Sequence, residues 1–331
     1  MKGMILAAGF GTRLKPISDE LPKPLFPFGN MRIIEKAIGF FKGNGICDIV
    51  INLHHKGEQI SSFLGDGKRY GVNIVYSEEA EILGTGGGIL QAKGFLEGDC
   101  FVVMNSDFLL ECDLERVIRE HKDNKAIATM VLKDAKGKEN YGTIGVSIDG
   151  LIRQFVSYVD YGGDLPLKQG MFTGIHVFSP RVFEYLEKVA ESFFCVNSLV
   201  YPEMLRSGEK VMGFFETGLW RDLGTVSDYF DANMEALEKE IFFGFSDSCK
   251  VEVGAETMIA GSATLNPPLV IGDRARIEDN VVLGPSVILG NNCVVRTGAA
   301  IERSIVLADS EVESKDVLRN EIVFKDLKVY V

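Results

Sequence analysis

Leu269-Val270-Ile271-Gly272-Asp273-Arg274-Ala275-Arg276-Ile277-Glu278-Asp279-Asn280-Val281-Val282-Leu283-Gly284 sits at the centre of a region whose period differs from everything before it. Around it, apolar residues occupy every sixth position: Val253, Ile259, Leu265, Ile271, Ile277, Leu283, Leu289, Val295, Ile301 and Leu307. Two residues before each stands Val251, Thr257, Ala263, Leu269, Ala275, Val281, Val287, Cys293, Ala299 or Ile305, nearly all small or β-branched. One inward aliphatic per six-residue face, with a second inward residue two before it, is the hexapeptide repeat of a parallel β-helix. Gly254, Gly272, Gly284 and Gly290 follow the inward aliphatic, where a tight corner suits a residue without Cβ. At roughly 18 residues per coil the region holds about three coils. Glu313 ends the register, and residues 314–331 read as a cap or an interface strand.

Upstream of the repeat, residues 226–239 carry Tyr229, Met234 and Leu237 roughly on one face and read as a helix leading out of a preceding domain. In the first two thirds, short apolar runs alternate with helical stretches, the pattern of a layered α/β domain with a mainly parallel sheet. Strands are predicted at 3–7, 48–52, 73–76 and 101–104, and helices at 33–44, 57–64, 86–92 and 113–122. The chain therefore divides into a domain over 1–240 and a β-helix over 241–331. In a parallel sheet, ligands gather at the carboxyl ends of the strands.

A length of 331 residues agrees with two domains. A hydrophobic fraction of 46% and a charged fraction of 25% are ordinary for soluble globular proteins. No apolar run approaches the ~18 residues needed to span a bilayer. A net charge of −12 argues against a nucleic-acid partner, which needs basic surface to displace counterions. Cys47, Cys100, Cys112, Cys195, Cys249 and Cys293 form no Cys-x-x-Cys pair and read as reduced core thiols. With no targeting segment at the start, the expected location is the cytoplasm. His54, His55, His121 and His176 show no metal-ligand spacing.

The chemistry concentrates near the start. Leu6-Ala7-Ala8-Gly9-Phe10-Gly11-Thr12-Arg13-Leu14-Lys15-Pro16 follows the first strand, with Pro22-Lys23-Pro24-Leu25 close behind. A glycine-rich turn after a strand lets backbone N–H groups approach phosphate oxygens, and Arg13 and Lys23 can neutralise a triphosphate. The stretch lacks the third glycine of a dinucleotide-binding turn and the Gly-Lys-Ser/Thr of a P-loop, which removes both of those readings.

Together these two segments resemble the signature of the sugar-1-phosphate nucleotidyltransferases, the NDP-sugar pyrophosphorylases. The likeness continues through Leu83-Gly84-Thr85-Gly86-Gly87, Asn105-Ser106-Asp107, Tyr141-Gly142, Thr173-Gly174 and Trp220-Arg221-Asp222-Leu223-Gly224-Thr225. With the repeat, which resembles the left-handed β-helix of hexapeptide-repeat proteins, it covers nearly the whole chain and is greatest to the mannose-1-phosphate guanylyltransferase group. The resemblance implies a Rossmann-like nucleotidyltransferase domain followed by a left-handed parallel β-helix. It further implies nucleotide binding by Leu6, Ala8, Gly9, Gly11, Thr12, Arg13, Glu79, Gly84, Thr85 and Asp107. Sugar binding falls to Gly142 and Thr173, and Mg²⁺ to Asp107 and Asp222, carboxylates that suit a hard oxygen-seeking ion.

The implied substrates are a nucleoside triphosphate and a sugar 1-phosphate, with Arg13 and Lys23 as the catalytic cations. Glu79 lies five residues before Gly84, where a carboxylate can accept from guanine N1–H and N2–H₂ together. That favours GTP, with a uridylyltransferase acting on an aminosugar or muramic-type sugar as the alternative. The sequence departs from the family at Phe155-Val156-Ser157, where Glu-Lys-Pro is usual, and at Phe172 and Ser106. Lys168 can supply the missing positive charge or stand as a solvated loop residue. A catalytically silent NDP-sugar-binding regulatory subunit is a further alternative, opposed by the joint presence of Arg13, Lys23, Asp107 and Asp222. Acyl transfer by the repeat is opposed by the lack of any histidine beyond His176. The flat faces of the repeat point to homo-oligomer assembly.

Overall fold

The computed structural model describes residues 1–29, 31–135, 144–155, 158–159, 166–239 and 250–331. It forms two compact units, Met1–Phe10 with Ile34–Trp220 and Gly11–Ile33 with Arg221–Val331.

The first unit is built on one mixed sheet. Strands β1 (Lys2–Leu6), β2 (Asp48–Leu53), β3 (Asn73–Glu78) and β4 (Phe101–Asn105) run parallel in the order β3-β2-β1-β4. Met4, Ile5, Val50, Ile51, Val102 and Val103 are buried, as the near-continuous apolar runs of a sheet covered on both faces require. Beyond β4 the direction reverses. β5 (Ala128–Asp134), β6 (Ile144–Val146), β7 (Ile152–Phe155), β8 (Lys168–Phe178) and β9 (Val211–Phe215), with the short strand Tyr158–Val159 at the edge beside β7, complete the sheet. Long β8 runs antiparallel to β4, β5 and β6.

All four expected strands and all four helices of this region are present. The helices are α1 (Ile33–Gly43), α2 (Gly57–Leu64), α3 (Gly84–Gln91) and α4 (Leu114–Asp123). Helix α4 starts where Asp113 accepts from Arg116 N at 3.0 Å, an N-cap. Helix α3 begins two residues earlier than its apolar spacing predicted, because its first turn is a glycine run with no periodicity to read.

In the second unit, helix α5 (Val226–Lys239) has the expected limits. Thr225 Oγ1 and Asp228 exchange bonds in a reciprocal cap: Thr225 Oγ1 donates to Asp228 Oδ2 at 2.6 Å, and Asp228 N donates back to Thr225 Oγ1 at 3.1 Å. Tyr229 on this helix donates to Pro27 O at 2.5 Å and packs edge-on against Phe26. Asp231 and Glu238 pair with Arg303 of the repeat, and Phe230 lies beneath its guanidinium at 5.1 Å. These contacts group α5 and residues 11–33 with the repeat, whereas the change of sequence period marks a boundary at 240.

The repeat folds as a parallel β-helix of three sheets, each strand pairing in parallel with the one a coil later. The inward residues Ile271, Ile277, Leu283, Leu289, Val295 and Ile301 form its core. Val253, in the first coil, is 46% exposed and lies outside that core. Two expectations are corrected. Ile271 pairs with Leu289 but Leu289 pairs with Val306, so the coil loses one residue; Val306 takes the inward place expected of Leu307. The register also does not end at Glu313. Leu318 and Val323 remain in the core, the strand Glu321–Phe324 pairs in parallel with Ser304–Val306, and Leu327–Tyr330 folds back antiparallel. The single-residue loss hid this last turn from a strict six-residue count, and it raises the number of coils to about four.

The glycines after the inward aliphatics serve stacking. Gly254, Gly272 and Gly290 keep ordinary φ, but a Cβ on each would lie 2.4–2.5 Å from atoms of the next coil. The left-handed corners fall on Glu256, Arg274, Asn280, Ser286 and Asn292 instead. Gly284 combines both demands, with φ +96° and its Cβ position 1.8 Å from Asn266 O. The expectation of core thiols holds for Cys293, which is buried, and fails for Cys47, which is exposed; Cys249 lies outside the described residues.

Candidate functional site

In the first unit the carboxyl ends of β1, β3 and β4 lead into the expected motifs. Ser106 N donates to Leu6 O at 3.2 Å, which brings the Asn105-Ser106-Asp107 turn beside the end of β1. Asp107 is half-buried. Among the described residues, the backbone amides of Ala8, Gly9 and Phe10 donate to no protein acceptor, and neither do those of Gly11, Thr12 and Arg13. Gly9 is exposed and Phe10 is 45% exposed, its ring edge-on to His54 at 5.5 Å and tilted against His55 at 5.5 Å.

The Leu83–Gly87 stretch is docked on residues 192–196. Phe194 N donates to Leu83 O at 2.9 Å, Gly86 N to Phe194 O at 2.9 Å, and Val196 N to Thr85 Oγ1 at 2.9 Å. Each glycine has a spatial reason. Gly84 holds φ +71° with its Cβ position 2.5 Å from Phe194 O, and a Cβ on Gly86 would enter the Phe194 ring at 2.2 Å.

Glu79, expected to meet the base, is held by its own chain. It is 4% exposed, and both carboxylate oxygens are taken internally: Oε1 accepts from Asn52 Nδ2 at 2.6 Å and Oε2 from Leu83 N at 2.9 Å. Two internal donors therefore hold this buried carboxylate in place. Thr173 is likewise engaged by its own chain. It is 2% exposed and its hydroxyl donates to Val131 O at 2.8 Å, while its carbonyl accepts from Trp220 Nε1 at 2.9 Å. The residue belongs to a bulge in β8, where Gly174 has φ +106° and the pairing with β5 shifts register. Tyr141, Gly142, Val156 and Ser157 lie outside the described residues. Lys168 is exposed and sits 3.8 Å from the centroid of the Phe215 ring, a cation–π contact.

Sequence reading missed Asn52, the 192–196 support and the His176–Tyr201 pair. Asn52 carried a signal, a lone polar residue between Ile51 and Leu53 at the end of an apolar strand. His176 Nδ1 lies 2.7 Å from Tyr201 OH, and burial pushes the imidazole down to about 3.

In the second unit Arg13 and Asp222 meet over Gly224: a Cβ there would lie 2.8 Å from Arg13 Nη1 and Nη2 and 2.9 Å from Asp222 Oδ2. Arg13 is exposed and Asp222 half-buried. Gly11 opens the turn Thr12–Leu14 at φ +62°, with Leu14 N donating back to its carbonyl at 2.9 Å. Lys23 leads a second turn, Lys23–Leu25, between two prolines whose fixed φ sets the direction of the chain. Its side chain is 8% exposed.

A glycine-opened turn carrying an arginine follows the first strand of a mainly parallel sheet, and the class of protein this belongs to is given by its relatives. The nucleotidyl transferase family profile matches residues 2–239, and the GMPPB C-terminal domain profile matches residues 265–330. The chain belongs to the sugar-1-phosphate nucleotidyltransferase family. It is 31% identical over 300 residues to a UTP–glucose-1-phosphate uridylyltransferase of Synechocystis, covering 84% of this chain and 76% of that protein. It is 31% identical over 238 residues to a mannose-1-phosphate guanyltransferase of Neurospora crassa, covering 69% of this chain and 62% of the relative's length. Among solved structures, a protein assigned as a glucose-1-phosphate thymidylyltransferase of Bacillus anthracis superposes with a TM-score of 0.63 at 27% identity. That match covers 74% of this chain and 98% of the other.

Proposed function

We propose that the chain transfers a nucleotidyl group from a nucleoside triphosphate to a sugar 1-phosphate, with GTP and mannose 1-phosphate as the favoured pair. The observation that carries the reaction class is the run of amides from Ala8 to Arg13 without protein acceptors, together with the Arg13 side chain. Such donors match phosphate oxygens. A sugar-phosphate oxygen attacks the α-phosphorus in line; the new O–P bond forms as the bond to the β-phosphate oxygen breaks, and pyrophosphate departs with the electron pair. No protein nucleophile is needed, so the residues act by position and charge. Arg13 holds the triphosphate and meets charge developing on the α-phosphoryl group, and Lys23 bridges substrate phosphates.

Asp107 and Asp222 are the proposed Mg²⁺ ligands. Both are half-buried at strand ends and offer only oxygen, a donor set that fits a cation which keeps waters and phosphates in its shell. When bound, the ion neutralises phosphate charge.

GTP with mannose 1-phosphate is supported by the C-terminal domain match and by the Neurospora relative's activity. Glu79 is engaged by Asn52 and Leu83, so the choice rests on these two matches. A uridylyltransferase remains the second reading because the Synechocystis relative matches across 84% of the chain. We propose further that the protein acts in the cytoplasm as a homo-oligomer assembled through the β-helix. In support, Thr264, Val282, Ala300 and Val317 lie in register along one sheet, with Val317 64% exposed. No helix among the described residues is long and apolar enough to cross a membrane.

The test is pyrophosphate release with Mg²⁺ for GTP, UTP, dTTP, ATP and CTP against hexose and aminosugar 1-phosphates. GTP with mannose 1-phosphate should turn over fastest; silence across the panel in folded protein would overturn the reading.

A further inference from the structure

Three hydrogen bonds join the end of β1 to the Leu83–Gly87 stretch through two buried side chains. Ala7 N donates to Asn52 Oδ1 at 2.9 Å, Asn52 Nδ2 to Glu79 Oε1 at 2.6 Å, and Leu83 N to Glu79 Oε2 at 2.9 Å. Asn52 and Glu79 are 3% and 4% exposed. The direction of the relay is forced by chemistry, because Asn carries both an acceptor and a donor whereas a carboxylate carries only acceptors. Both ends of the relay are backbone amides, so it fixes main-chain position.

The packing reserves room for it. A Cβ on Gly88, in the first turns of α3, would lie 2.8 Å from both Asn52 Nδ2 and Glu79 Oε1. His54 Nδ1, 2.8 Å from Glu79 O, steadies the same residue from its backbone side.

We propose that Asn52 and Glu79 are positioning residues that lock the β1 turn to the 83–87 loop, and so set affinity for the nucleotide without reading its base. The inference rests on the nucleotidyl-transfer reading and deepens it. Glu79→Gln turns one acceptor into a donor, so its amide meets either the Asn52 amide or the Leu83 N–H donor to donor. Asn52→Asp sets carboxylate against carboxylate. The double variant N52D/E79Q restores all three bonds with the middle one reversed: Ala7 N and Gln Nε2 both donate to the new Asp, and Leu83 N donates to Gln Oε1.

Steady-state kinetics, calorimetric nucleotide binding and melting temperature should be compared across wild type, both single variants and the double variant. E79Q should raise the KM for the nucleotide about tenfold, the scale of one unsatisfied buried donor. The KM for the sugar 1-phosphate and the order of preference among GTP, UTP and dTTP should stay as in wild type. The double variant should return to within about threefold of wild type, a recovery that a general packing role does not produce. If E79Q does not fold, Gly88→Ala presses on the same two partners and should show the same KM split. An unchanged nucleotide KM, a double variant no better than the poorer single, or an altered base preference would overturn the proposal while leaving nucleotidyl transfer intact. A wild-type protein that neither turns over nor binds any nucleotide would overturn both.

Discussion

The guanidinium of Arg13 lies over the backbone of Gly224, so that a Cβ added there would stand 2.8 Å from both of its terminal nitrogens and 2.9 Å from Asp222 Oδ2. Gly224 is buried and its φ is unexceptional, so the glycine is required by the side chains above it.

Gly224→Ala should therefore act as an indirect Arg13 variant. A displaced guanidinium loses alignment with the reacting phosphates, and kcat should fall about 100-fold, within the range of Arg13→Ala at roughly 2–4 kcal/mol of barrier. Melting temperatures of both variants should stay within a few degrees of wild type. Wild-type kcat in Gly224→Ala would separate Arg13 placement from catalysis.

Asp107→Asn and Asp222→Asn should each lower turnover by about 100-fold or more, since an amide is a poor replacement for an anionic magnesium ligand. Titrating Mg²⁺ should recover part of the loss in either variant. Thermal shift with Mg²⁺ and nucleotide together provides a readout independent of turnover. Equal Mg²⁺ dependence in wild type and variants would exclude these two carboxylates as ligands.

In the β-helix, Gly272→Ala should destabilise the chain by roughly 1–3 kcal/mol, because its methyl would lie 2.5 Å from Asn291 Oδ1 and 2.6 Å from the backbone of Gly290. Gly261→Ala, with nothing within 4 Å, is the matched control and should be nearly neutral. Urea midpoints of the two variants make the comparison.

Acid should destabilise the first unit through two histidines. His121 and His176 are buried, and burial pushes them down to about 4 and about 3. Both stay neutral in the fold, while in the unfolded chain they take up protons near pH 6.5. Stability linked to these groups is therefore present above pH 6.5 and is lost as pH falls toward 4 and 3. Each contributes up to about 2 kcal/mol of loss between pH 6.5 and 5. Urea unfolding at pH 7 and pH 5 should show this, and His121→Gln should flatten the difference.

Much of this architecture is legible along the chain because the signals are local. A six-residue aliphatic spacing needs only neighbouring coils to become a β-helix, and the apolar runs of β1, β2 and β4 need only a covered sheet. The legibility fails where spacing changes by one residue. The loss between Ile301 and Val306 moved the inward position from Leu307 to Val306 and concealed the last turn of the helix. Gly11, Arg13, Lys23, Asp107 and Asp222 could be singled out as candidates because each belongs to a contiguous motif. The internal partners of Glu79 could not be read, because a carboxylate suits more than one role and only the fold supplies its neighbours.

By itself, then, the sequence determined the two kinds of structure, the parallel α/β sheet and the hexapeptide coil, since both follow from periodicity and turn chemistry within a few residues. It also determined which charged groups stand on the motifs. The tertiary structure alone decided that Glu79 faces Asn52 and Leu83, that the Thr173 hydroxyl is consumed by Val131, and that Gly224 lies beneath Arg13. Apart from the Glu79–Leu83 bond, those outcomes join residues 27 to more than 200 positions apart, and the direction of a buried polar side chain is set by whichever distant donor or acceptor the fold brings within reach.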